Sequence, residues 1–199
     1  MNRLKVAPIT ETSDELLALL EHKERYISVL RKMSEHRKRE WLFARVLLKR
    51  SLGEEKEIGY TGFGKPYLTD KSYHISISHT KNFVAVAWNK KKEVAIDIER
   101  ISSRVKNIRT RFMSELEENN LSKENPVIHL LLHWSAKETL FKLLRENDIE
   151  FKTQLHILPF EPVINEWSDF TAYETRTEKR QSYTVYYIVT KDYVLTAIG

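Results

Sequence analysis

The sequence predicts an α+β fold built from two similar lobes, and two observations lead there. Segments with helical spacing alternate with segments of strand spacing along the whole chain, with no low-complexity linker between them. The two halves also resemble each other. WLFARVLLK (41–49) and WSAKETLFK (134–142) share Trp, Leu and Lys at their first, seventh and ninth positions, and KNFVAVAW (81–88) and KDYVLTAI (191–198) share Lys, an aromatic, Val and a late Ala. Amphipathic helices and core strands resemble one another in any protein, so a repeat and a coincidence both fit. A repeat implies an N-terminal lobe over 1–95 and a C-terminal lobe over 96–199, forming one compact two-lobed unit with a cleft suited to a ligand.

The elements follow in order. ETSDELLALLEH (11–22) and SEHRKREWLFARVLLKRSLG (34–53) have helical spacing, the second stopping at Gly53. EIGYTGFGKPYL (57–68) is punctuated by Gly62, Gly64 and Pro66 and reads as a loop or broken strand. YHISISHT (73–80), NFVAVAWN (82–89) and EVAIDIER (93–100) read as three strands. VKNIRTRFMSELEEN (105–119) reads as one helix, and PVIHLLLHWSAKETLFKLLREN (126–147) as a strongly apolar one with Pro126 at its start. The tail is β-rich, ending in SYTVYYIVT (182–190) and DYVLTAIG (192–199).

With 199 residues, 41% of them hydrophobic, the chain can bury a substantial core. No run approaches the ~18 apolar residues of a membrane span, and the first residues lack the apolar stretch of a secretory signal, so a cytoplasmic location is expected. Cysteine is absent, which excludes disulfide and thiolate chemistry and leaves oxygen and imidazole as metal ligands. The net charge of +5 is uneven: between Arg31 and Arg50, eight Lys or Arg face two Glu. That surplus fits a solvated helix face, or a phosphate-bearing ligand or acidic protein as neighbour.

EVAIDIER carries the sharpest question. As a strand it puts Val94, Ile96 and Ile98 on one face, and Ala95, Asp97 and Glu99 on the other. Side chains at i and i+2 lie ~6.6 Å apart and point the same way, so the two acids can address one ion. An edge strand with a wet outer face, its acids partnered by Arg100 or a lysine, explains them equally well. In HWSAKETLFK, Glu138 and Lys142 are four apart and share a helix face. Either they are an ordinary helix ion pair, or they add a third acid and a phosphate-facing cation to a phosphoryl-transfer centre.

Read in order, FGKPYL (63–68), ISISHT (75–80), VAIDIER (94–100), RFMSELE (111–117) and HWSAKETLFK (133–142) resemble successive motifs of the 4′-phosphopantetheinyl transferases, specifically the two-lobed, surfactin-synthetase-activating type. The resemblance implies two α+β lobes related by a pseudo-twofold axis, with coenzyme A and Mg²⁺ (or Mn²⁺) between them. It implies Asp97, Glu99 and Glu138 as metal ligands, and Lys142 at the coenzyme's phosphates. Ser78 and His79 match the Ser-His pair at those phosphates, Lys65 and Pro66 the segment near the adenine, and Glu117 the glutamate proposed as general base. Arg39 and Arg45 are candidates for the 3′-phosphate. The implied reaction moves the phosphopantetheine arm of coenzyme A onto a serine of an acyl carrier protein or peptidyl carrier domain. Such partners are typically acidic, which suits a chain of pI 9.2. A monomer is expected, with no nucleic-acid or membrane partner. Two rivals use part of the same evidence. A metal-dependent nuclease would need the acids and the basic helix, and a non-enzymatic nucleic-acid-binding protein the charge alone; neither requires the Gly-Lys-Pro, Ser-His and Glu138/Lys142 blocks.

Overall fold

The computed structural model describes residues 3–144 and 148–199. The chain divides into two compact units, Met1–Val94 and Ala95–Gly199.

In the first unit, strand β1 (Leu4–Pro8) is followed by helices α1 (Ser13–Ala18), α2 (Glu24–Leu30) and α3 (Glu35–Leu52). A short antiparallel hairpin comes next, β2 (Ile58–Tyr60) with β3 (Pro66–Leu68), and then strands β4 (His74–Thr80) and β5 (Phe83–Asn89). The sheet runs β1-β5-β4, all antiparallel. Pro8 is tolerated because β1 is an edge strand. Helix α3 starts at Ser34, whose hydroxyl accepts from the Arg37 amide, and stops at Gly53, in the left-handed region at φ 84°. Its Leu42, Phe43, Val46 and Leu47 pack with Val84 and Val86 of β5 into one core.

In the second unit, strand β6 (Ala95–Arg100) leads into a 3₁₀ turn (Ser103–Asn107), α4 (Arg109–Phe112), α5 (Glu115–Asn119) and the long α6 (Pro126–Leu144). Helix α7 (Phe151–Gln154) and strands β7 (Leu155–Ile157), β8 (Trp167–Glu174), β9 (Ser182–Val189) and β10 (Tyr193–Ile198) complete it. The antiparallel sheet runs β6-β10-β9-β8-β7, and α6 lies across β10 and β6.

Two sequence expectations change. The single helix expected over 105–119 is broken, because Met113 is extended and Ser114 restarts the chain as a new N-cap. Its hydroxyl accepts from the Glu117 amide while the Glu117 carboxylate accepts from the Ser114 amide. The segment at 57–68 closes as a hairpin with Gly64 at φ 76° in its turn. The last residues of the predicted 126–147 helix, 145–147, lie outside the described residues. The repeated segments fall on matching elements: WLFARVLLK on α3 and KNFVAVAW on β5, WSAKETLFK on α6 and KDYVLTAI on β10. Within each unit the helix packs on that strand.

Candidate active site

The site is built where α6 crosses β6 and β10. The register sets Thr196 of β10 opposite Asp97 and Val194 opposite Glu99, so Asp97, Glu99 and Thr196 share the sheet face turned to α6. Thr196 Oγ1 lies 2.9 Å from Ser135 Oγ and 2.7 Å from Thr139 Oγ1, three hydroxyls satisfying one another in a dry interface. One end of this seam is closed by Trp134, whose indole Nε1 donates to Glu99 Oε1 at 2.8 Å. At the other end the Lys142 ammonium donates to Asp97 Oδ1 at 2.7 Å and to the Ile96 carbonyl at 3.2 Å.

Of the edge-strand explanation of the two acids, the edge position and a lysine partner hold, and the wet face does not hold at Asp97. β6 is an edge strand of its sheet, yet Asp97 is only 4% exposed. Burial, followed by the nearby Asp97 charge and then Glu138, pushes the Glu99 carboxyl up to about 7. Burial and the Asp97 charge raise Glu138 as well. Glu99 and Glu138, each pushed up in part by the Asp97 charge, share one small region of low polarity with it. Lys142 supplies countercharge to both Glu99 and Glu138 besides its contact with Asp97. Among the described residues no three acidic or histidine side chains are already posed around one point as a metal cage. The donor set is nonetheless the all-oxygen one a hard divalent cation takes, and added positive charge would relieve the repulsion.

Behind α6 lies a second polar cluster. The Lys137 side chain is fully buried, and its ammonium donates to Glu117 Oε2 at 2.8 Å and to the carbonyls of Phe112 at 2.5 Å and Phe151 at 3.1 Å. Glu117 Oε1 accepts from the Ile157 amide at 3.0 Å, and Oε2 also accepts from the Ser114 amide at 2.8 Å. Burial pulls Lys137 below the usual lysine range while the Glu117 charge opposes the shift. Glu117, expected as a general base, has both oxygens occupied by the fold. The pair ties α6 to the end of α4, to α5, α7 and β7. Next to it His133 stacks on Phe160, and His129 meets the same ring edge-on. Burial pulls the His133 imidazole down to about 4.

A cavity of about 370 Å³ opens beside Glu99, walled by Arg100, Arg104, Val105, Leu131 and Trp134. The sequence reading did not anticipate it.

The other expected site residues belong to the first unit. Lys65 and Pro66 lie at the β2–β3 hairpin, the Lys65 ammonium 3.0 Å from Glu93 Oε2. Ser78 is buried on β4 and His79 next to it is exposed, as neighbours on a strand must alternate. The two arginines offered for the 3′-phosphate are committed locally. Arg39 donates from Nε to the Glu11 carbonyl at 2.9 Å and from a terminal nitrogen to the Ile9 carbonyl at 3.2 Å. Arg45 is buried, its guanidinium 3.0 Å from the centre of the Trp41 ring and one nitrogen donating to the Trp41 carbonyl. Arg45 is thereby withdrawn from solvent, while Arg39 is half-buried.

Residues 93–198 match the sequence model of the 4′-phosphopantetheinyl transferase superfamily. The chain belongs to this superfamily. No curated protein matches it individually. The superfamily match begins two residues before β6 and encloses Asp97, Glu99, Glu117, Lys137, Glu138 and Lys142, so the acids, the lysine and the helix that gathers them all lie within it. The mixed α+β architecture agrees with this membership. No described helix is long and apolar enough to cross a membrane.

Residues of the candidate site missed at the sequence level include Lys137 and Thr196. The W-S-A-K-E order holds a signal for Lys137, since a lysine one residue before a helix-borne acid at a packed interface either snorkels or pairs. Thr196 carries none until the register is known.

Proposed function

We propose that this superfamily member transfers the 4′-phosphopantetheine arm of coenzyme A to a serine of an acyl or peptidyl carrier protein, releasing adenosine 3′,5′-bisphosphate. The observation that carries the reading is the buried gathering of Asp97, Glu99 and Glu138 against Lys142, with Glu99 pushed up to about 7 by burial and its acidic neighbours. In this reading Asp97, Glu99 and Glu138 hold Mg²⁺, which neutralises charge on the coenzyme's diphosphate when bound. Lys142 holds the acids while substrate is absent, and its ammonium serves a phosphate oxygen when coenzyme arrives. Trp134 fixes the Glu99 carboxylate through its indole, so that this acid need not be ordered at the moment of reaction. Lys137 and Glu117 hold α6, and hence Glu138 and Lys142, at their height above β6; we assign Glu117 to this task rather than to the serine's proton.

The finer assignment is to the two-lobed, surfactin-synthetase-activating type, with the two units as pseudo-twofold-related lobes acting as a monomer. Lys65, Pro66, Ser78 and His79 then serve the coenzyme from the first unit. The basic stretch of α3 and a pI of 9.2 suit an acidic carrier.

The deciding experiment is to incubate the protein with an apo carrier domain, coenzyme A and Mg²⁺ and to weigh the carrier. A gain of one phosphopantetheine with matching release of the bisphosphate is expected. An unchanged carrier and intact coenzyme across a panel of acyl and peptidyl carriers would sink the reading.

A further inference from the structure

Beside the Lys137–Glu117 pair the second unit holds a small chamber of about 10 Å³, room for one water-sized sphere. Glu117, His129, His133, Ile157 and Pro159 are among its walls. The two histidines are four apart on α6, with ring centres 4.7 Å apart and exposures of 1% and 3%.

The backbone fixes where each ring carries its proton. The Ser122 amide donates to His129 Nδ1 at 2.9 Å, so that nitrogen is bare and the ring's proton is on Nε2. This buried Nε2 has no hydrogen-bond partner among the described residues. His133 Nδ1 lies 2.9 Å from the His129 carbonyl, which can only accept. The His133 proton is therefore on Nδ1, and Nε2 keeps its lone pair. Burial lowers both rings, His133 to about 4, which keeps them neutral near pH 7. Each Glu117 oxygen is already engaged, yet among the described residues Oε1 accepts from the Ile157 amide alone, at 3.0 Å, and a carboxylate oxygen has a second lone pair.

The chamber thus offers one N–H donor and two acceptors, and that set selects its occupant. An anion meets two walls of lone pairs. A metal ion needs bare nitrogens, and His129 presents a proton. An apolar group leaves that N–H unsatisfied in a dry site. Water takes one such bond, gives two, and has the size of the space.

We propose that this chamber is the binding site of a single internal water, which accepts from His129 Nε2 and donates to His133 Nε2 and Glu117 Oε1. The water joins the histidine pair to the carboxylate that ties α6 to α5 and β7, so the Lys137–Glu117 contact becomes part of one continuous polar network. The site stands whether or not the transferase reading does.

Nuclear magnetic resonance of the full chain near neutral pH tests it. Imidazole ¹⁵N spectra place the proton of His129 on Nε2 and that of His133 on Nδ1. The His129 Hε2 proton shows a cross-relaxation peak to water that is opposite in sign to proton exchange in the rotating frame. In His133→Phe, which offers no lone pair and fills the space, that peak is lost while the His129 tautomer, set by Ser122, is unchanged. The opposite tautomer at either ring overturns the site. So does a His129 Hε2 that senses the Phe160 ring and no water, because its N–H is then spent on the aromatic face. Both of these are read on the unmodified protein and hold even where the variant fails to fold. An undiminished water peak in a folded His133→Phe puts the water outside the two rings and overturns the site as well.

Discussion

The ammonium of Lys142 donates to Asp97 Oδ1 at 2.7 Å from a helix position one turn beyond Glu138, so a single lysine serves as countercharge for three acids that come from two elements. Replacing it with Met removes that charge and leaves the acids repelling one another. Carrier modification falls about 100-fold, and the Glu99 carboxyl, already near 7, titrates higher still by carboxylate NMR. A Glu99 titration that stays put in Lys142→Met would show that the lysine does not share in this cluster.

Glu138→Gln separates the site's chemistry from its stability. One of three mutually repelling carboxyls becomes neutral at nearly constant volume, so the thermal midpoint holds or rises. Carrier modification drops about 100-fold or more, the loss expected when a metal ligand worth several kcal/mol is removed. Ordinary turnover in this variant removes Glu138 from the mechanism.

Lys137→Met strips the cation from a buried pair and leaves Glu117 charged among apolar neighbours. Destabilisation of about 3–5 kcal/mol is expected, read as a lower urea midpoint. Lys137→Met combined with Glu117→Gln recovers a large part of it, because no uncompensated charge remains. If the double variant is no more stable than the single one, the two side chains are not energetically coupled.

The pH dependence of folding carries the mark of His133. Its imidazole is held down to about 4 in the folded chain by burial, against about 6.5 when unfolded. Above the unfolded value the ring is neutral in both states and costs nothing. As pH falls below it the unfolded chain takes up the proton first. Stability therefore declines from about pH 6.5 and levels off near the folded value of about 4, a total of ~3 kcal/mol. Burial lowers His129 too, so it acts in the same direction. His133→Leu should flatten this window relative to the parent chain in denaturant titrations at several pH values; parallel curves would remove His133 from the acid response.

Much of the second unit's site was legible because its spacings are local. Asp97 and Glu99 two apart on a strand, and Glu138 and Lys142 four apart on a helix, are each matched in direction by the geometry of their own element. What the sequence could not convey is which strand pairs with which. Three strands can be read between 73 and 100, but nothing local says that β6 leaves its predecessors and pairs with β10, placing Thr196 beside Asp97. The expected helix over 105–119 failed for a different reason. Ser114 and Glu117 form a capping box that outweighs helical continuity, and S-x-x-E is visible in the sequence to a reader who weighs caps against periodicity.

The hydrogen-bonded union of β6 with β10 joins ends of the second unit separated by about a hundred residues, and closing so large a loop carries an entropic toll before any contact rewards it. The consequence is one of timing. Until that late zipping is complete Glu99 is an ordinary hydrated carboxylate, so the chain acquires that group's unusual proton affinity in a closing step of maturation, and refolding followed through the Glu99 carboxyl would lag behind refolding followed through helix content.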